Sequence, residues 1–387
     1  MTTTNPRIRW ICRAAALAIA ALVVSSVARF YHPRYGFTAL IAFANNPEYQ
    51  LPALQSLPHL PNPPWASYDG QFYAQLALDP LLRDSAIDRV LDAPIYRARR
   101  ILFSWTAWAL GLGRPAWILT AYALQNVLFW LLLAILLARW LPPDTPRGLA
   151  FWTACLLSHG MLMSIRLALL DGPSVFVIAL AVVAAERGRM FTSALVAGIA
   201  GLGKETNLLS ASALPTPDRR RGWLAFAAAL VVVALPLLIW QDYLHSIYRS
   251  TSPMTAAPIQ LPLVGYVQKW QTTLADIWSI GIATPAVYGL AALISVTVQC
   301  AYLLYSRQFA TPWWRVAAAY GCLILILDRA VWEGYPSAVT RVTLPLVFGF
   351  NIVLARDVRP QSWVWFVLGN VHLIPAATVL PLLGAAR

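Results

Sequence analysis

Uncharged apolar stretches recur through this chain at residues 14–28, 115–138, 148–165, 222–241, 277–306 and 360–386. Most reach the ~20 residues that a helix needs to cross hydrocarbon. No soluble domain can bury so many such runs at once, and the composition agrees. The chain is 59% hydrophobic and 12% charged, against about 25% charged in an ordinary soluble domain. The expected fold class is all-α: a polytopic helical membrane protein with nine full transmembrane helices plus a broken helical hairpin. At 387 residues this forms a single integral membrane domain, 1–387, with no room for a second folded soluble unit.

The net charge of +13 does not point to nucleic acid. Of 29 basic residues only Lys204 and Lys269 are lysine, and the arginines are scattered among the connections. A nucleic-acid surface would cluster them. Cys12, Cys155, Cys300 and Cys322 show no paired spacing, and the five histidines no metal-ligand spacing, so neither a disulfide framework nor a histidine metal centre is expected.

Arg7, Arg9 and Arg13 precede the first apolar run, and Ser26-Val27-Ala28 resembles a cleavage site. The run is read as an uncleaved anchor with its basic end in the cytoplasm, which sends the first loop, 30–113, to the outer face. Short loops bearing Arg139 and Arg147, and Arg187 and Arg189, return to the cytoplasm. A single crossing by 190–216 would put Arg219, Arg220 and Arg221 outside, against the positive-inside rule. That segment is therefore read as a re-entrant hairpin, two arms of ~13 residues broken near Gly203-Lys204-Glu205, tolerated only where protein or a cavity surrounds it. A second outer loop, 243–276, contains Pro253, Pro258 and Pro262 and should be irregular. The expected location is a bacterial inner membrane.

Four places carry chemistry. In the first loop, Tyr68-Asp69-Gly70-Gln71-Phe72-Tyr73 sets an acid among aromatics where a short helix opens that Pro80 should end. Asp69 is either a helix cap or a reactive carboxylate held at a membrane surface. Arg97, Arg99 and Arg100 then precede Trp105 and Trp108, a pattern suited either to anchoring in the headgroup layer or to holding phosphate with guanidinium forks. Within apolar segments lie Asp171, Lys204 and Glu205. Ionisable groups there are functional candidates by default, although Lys204 and Glu205 could simply neutralise each other. Near the end, Asp328, Arg329, Glu333 and Arg341 either frame an outward anionic pocket or form local ion pairs. Gly198 to Lys204 fits a GxxxxGK pattern, but Glu205 replaces the Ser or Thr and no strand precedes it, so a nucleotide loop is rejected.

The order of these features resembles the GT-C superfamily of membrane glycosyltransferases, which includes bacterial lipid-linked-sugar enzymes and the mannosyltransferases of GPI-anchor assembly. The likeness rests on Tyr68 to Tyr73, Arg97 to Leu102, Gly203-Lys204-Glu205-Thr206 and Arg341 to Pro345, within an organisation that covers most of the chain. The resemblance implies sugar transfer from a polyprenyl-phosphate donor to a lipid or envelope-glycan acceptor, with membrane lipids around it. Asp69 would be the general base. Arg97, Arg99, Arg100, Lys204 and Arg341 would hold the donor phosphate, with Tyr68, Gln71, Tyr73 and Glu205 in support and Asp171 or Glu333 as second acids. Paired acids of better-known members are replaced here by Asp69-Gly70, so no cofactor is assigned and a divalent metal stays open. The alternative class is a non-catalytic transporter or lipid-handling protein whose charges line a passage, although no internal repeat is visible.

The charge pattern makes one topological prediction. A cysteine at Arg219 should react with an impermeant thiol reagent only from the cytoplasmic side; labelling from the outer face would invert every later segment.

Overall fold

The structure, a computed structural model, describes residues 5–63, 66–217, 220–248, 260–281, 284–333 and 338–380. Among these it is helical, with isolated bridges instead of a sheet. Proline opens many helices, including Pro6–Ala28, Pro94–Ala98, Pro115–Leu137, Pro146–Leu156 and Pro312–Ile326. At that position its fixed φ suits the helix and its missing N–H costs nothing.

Among the described residues four helices are long and apolar enough to span a membrane: Pro6–Ala28, Pro115–Leu137, Gly222–Ile247 and Ala286–Ser306. Pro146–Leu156 and His159–Arg166, bent by 47° at their junction, make a fifth if taken as one broken span. Gly222–Ile247 has only 17% of its apolar window buried, against 56% for Pro115–Leu137. The first therefore lies at the periphery, while the second is central, packed against helices Gly70–Leu78, Leu102–Leu110 and Asp171–Glu186.

Several boundaries differ from the sequence expectation. Residues 264–276 are not irregular, because Val264–Ile280 is a helix; Pro253 and Pro258 lie outside the described residues. The apolar run 277–306 is divided at Gly281, whose φ of 73° breaks the helix before Thr284–Ser306 begins. The described part of the last run, 360–380, holds two short helices, Ser362–Gly369 and Leu373–Ala376. There the Asn370 amide, at the end of its helix, pairs reciprocally with Asn351 on Leu344–Leu354, both contacts 3.0 Å. Residues 218–219 and 381–387 fall outside the description.

The segment 190–216 has the expected break, but its arms are unequal. Met190–Gly201 is an α-helix, whereas Glu205–Ala213 is a 3₁₀-helix of nine residues, long for that winding. Arg315 closes its far end by donating to the carbonyls of Ser212 and Ala213 at 2.8 and 2.7 Å.

The first loop is held down by its own polar groups. Gln71 and Gln75, one turn apart on helix Gly70–Leu78, accept from the backbone N–H of Ala44 and Leu51 at 3.0 and 2.8 Å. Each thereby satisfies a buried donor that no sheet or helix would reach. The stretch through Arg97 and Trp108 forms two short helices, Pro94–Ala98 and Leu102–Leu110. At their junction Leu102 N–H donates to Leu202 O at 3.1 Å, joining the loop to the hairpin break. Trp240 of the long peripheral helix donates to Ala98 O at 2.8 Å and fixes the other side.

Helix Gly70–Leu78 starts against backbone: a Cβ on Gly70 would lie 2.5 Å from Leu167 O. Gly70→Ala should therefore cost on the order of 1–3 kcal/mol, measured by thermal unfolding in detergent. A wild-type melting temperature would mean that this approach is not tight.

Candidate functional site

Tyr122 and Asn126, on the central helix Pro115–Leu137, reach the bend before helix Asp171–Glu186 and donate to the carbonyls of Ala168 and Leu169 at 3.0 and 2.9 Å. Ala168 is held at φ 46°, a left-handed conformation uncommon for alanine. Ser164 completes the bend by accepting from Gly172 N–H at 2.8 Å. The result is a rigid corner that puts Asp171 at the start of its helix.

Asp171, 7% exposed, receives two cations. Lys204 Nζ lies 2.7 Å from one oxygen and Arg341 Nη1 3.3 Å from the other. Glu205 likewise receives two, Arg99 at 3.2 Å and Arg100 at 3.0 Å. Lys204 and Glu205, adjacent in sequence, thus do not neutralise each other; each faces a different partner on a different segment. Each carboxylate cancels one of its two cations and leaves one unit of positive charge beside it. Both three-residue clusters line a cavity of about 320 Å³, together with Asp69, Tyr73 and Tyr96. Its other wall is apolar, with Leu323, Leu327 and Val342.

Asp69 makes no capping hydrogen bond, so the cap alternative is corrected. Its carboxylate accepts from Arg97 at 2.9 Å instead, and it remains 38% exposed at the cavity wall. Arg97 is withdrawn from the cavity. Its guanidinium also binds Asp92 at 2.7 Å and lies over the Phe72 ring at 4.7 Å. Arg97 therefore orients Asp69 and is not placed to hold a ligand phosphate. Tyr73 OH accepts from Arg97 and Arg100, both at 3.3 Å, linking the two groups. Tyr68 OH accepts from Arg341 at 2.6 Å. Burial pushes this phenol up to about 12, against the opposing pull of Arg341, so it stays protonated.

Two expected site residues lie elsewhere. Gln71 is occupied with the Ala44 backbone, and Glu333 pairs with Arg329 at 2.8 Å on the surface. Asp92 and Tyr96 are gains: the Tyr96 ring lies 4.1 Å from the Arg100 guanidinium. No periodicity revealed Asp92, because Pro94 starts a new helix between it and Arg97.

Among the described residues no group of three or more His, Cys, Asp or Glu side chains converges as metal ligands. The cavity's acids each point at a cation, so this donor set does not suit a divalent ion. No family model, curated protein or solved structure matches this chain.

Removing one carboxylate should expose the cost of the shared pairing. Asp171→Asn leaves Lys204 and Arg341 facing each other without a countercharge and should destabilise by about 3–5 kcal/mol, the range for a broken buried pair. Denaturant unfolding of the purified protein reads this directly, and a loss under 1 kcal/mol would show that water already screens the site.

Proposed function

We propose that this chain is a membrane glycosyltransferase of the GT-C type, transferring a sugar from a polyprenyl-phosphate donor to a lipid or glycan acceptor. The observation that carries the reading is the pair of half-neutralised basic clusters, Lys204–Asp171–Arg341 and Arg99–Glu205–Arg100, lining one cavity with Asp69. Such clusters favour an anion whose charge grows during reaction. A sugar phosphodiester carries one negative charge, and the lipid phosphate that leaves carries up to two. The acceptor oxygen forms its bond to the anomeric carbon while the bond from that carbon to the phosphate oxygen breaks. Asp69 takes the acceptor proton. Arg97 holds the carboxylate in place, and the apolar wall suits the first units of a prenyl chain.

Nine crossings belong to this proposal. Beside the four long spans and the bent pair, helices Asp171–Glu186, Pro312–Ile326, Leu344–Leu354 and Ser362–Gly369 would complete them and Met190–Gly201 would supply the hairpin, with the N-terminus in the cytoplasm of a bacterial inner membrane and the cavity opening outward. The transport alternative needs a passage beyond Lys204. There the space narrows to a hollow of about 10 Å³ beside Ser174, Asn207 and Tyr320. Asn207 donates to Ser174 Oγ and Ala200 O, both at 2.9 Å, and Tyr320 donates to Thr206 O at 3.0 Å. This bonded plug supports an enzyme cavity over a conduit.

Because Arg97 keeps Asp92 as a second carboxylate at 2.7 Å, Asp69→Asn removes the base and still leaves that cation paired. It should fold with a near wild-type melting temperature and lose on the order of 10² to 10⁴ in transfer rate from a polyprenyl-phosphate sugar. An Asn variant that keeps most of its activity would remove the mechanism.

Arg100→Lys keeps the charge but loses the planar fork, and should lower turnover about tenfold or more with expression unchanged. Wild-type kinetics in that variant would take Arg100 out of phosphate binding.

A further inference from the structure

On the other side of Tyr68 lies a second cavity of about 450 Å³. Ser67 and Tyr68 face it while the next residue, Asp69, faces the first cavity. The Tyr68–Arg341 hydrogen bond stands between them. One short helix, Ala338–Val342, serves both sides: Arg341 enters the basic cavity and Thr340 binds His159 Nδ1 at 3.0 Å. The contact is close, since a Cβ on Gly160 would lie 2.2 Å from Thr340 O.

His159 is 1% exposed, yet it lines the second cavity. With Nδ1 engaged by Thr340, its Nε2 is left for whatever enters. Tyr288 stands beside it, ring centroids 5.6 Å apart, and its hydroxyl meets Thr378. Among the described residues the lining holds hydroxyls, one imidazole, two tyrosine rings and the guanidinium of Arg166, with no carboxylate. This differs from the first cavity, where fixed charges dominate. Rings flanked by neutral donors and acceptors suit a ligand with hydroxyls at its edge and C–H groups on its face.

We propose that this second cavity binds a sugar-bearing ligand, held by His159 and Tyr288. Resting on the transferase reading, that ligand is the acceptor, bound beside the residue that immediately precedes Asp69.

The test titrates the full-length chain in lipid nanodiscs with two probes separately: farnesyl phosphate, and hexyl β-glucoside below its micelle concentration. Wild type should bind both. His159→Leu and Tyr288→Phe should each weaken glucoside binding about 3- to 10-fold, the loss of one hydrogen bond, and leave farnesyl phosphate unchanged. Lys204→Gln should do the reverse. Glucoside binding indifferent to both His159→Leu and Tyr288→Phe would overturn the proposal, as would its absence in protein that binds farnesyl phosphate. Failure to bind farnesyl phosphate would instead overturn the transferase reading, while the glucoside titration still reports on the second cavity.

Discussion

A buried charge away from water must be paired or neutralised, and this constraint organises the centre of the molecule. Asp171 and Glu205 each serve two cations, so four basic side chains from three separate segments are tied to two acids. The sharing joins the first loop, the corner before helix Asp171–Glu186, the hairpin break and helix Ala338–Val342 into one body. Apolar packing between these elements would tolerate sliding; charge pairs of this kind do not. Incomplete neutralisation has a second effect. Positive charge remains where a ligand can reach it, so one set of contacts both fastens the fold and defines the cavity.

Features that rest on local or compositional physics were legible in the sequence. The membrane class followed from the apolar runs, and the start of helix Gly70–Leu78 and its end near Pro80 from local chemistry. Most of the charged site candidates also meet in space, because an ionisable residue inside an apolar segment has few reasons to be there. Partner choice was not legible. Lys204 and Glu205 are neighbours in sequence, yet Lys204 answers to Asp171 and Glu205 to Arg99 and Arg100, which depends on how distant segments pack. For the same reason Asp69 looked like a cap and is an ion-pair partner. Gln71 looked like part of the site and is a backbone tie. Helix interruptions at Gly281 and Asn370 were missed because apolar composition does not report backbone geometry.

The corner before Asp171 shows how local strain is maintained. Ala168 occupies a left-handed conformation that costs about 1–3 kcal/mol when surroundings do not impose it. Tyr122 and Asn126 impose it from helix Pro115–Leu137, and Ser164 from helix His159–Arg166. Gly70 presses against the neighbouring Leu167 carbonyl from the other side. The acid at the start of helix Asp171–Glu186 and the acid before helix Gly70–Leu78 are thus positioned by opposite sides of one backbone turn.

The tight winding of the hairpin's second arm bears on reach. Nine residues wound as a 3₁₀-helix extend about 18 Å, where an α-helix of the same length would extend about 13.5 Å. The difference is most of an α-helical turn, gained without adding a residue. With its far end fastened to Arg315, the arm acts as a strut whose length is set by its winding. Lys204 and Glu205 sit at its free tip, so the distance at which they meet Asp171, Arg99 and Arg100 is a property of backbone pitch as much as of side-chain chemistry.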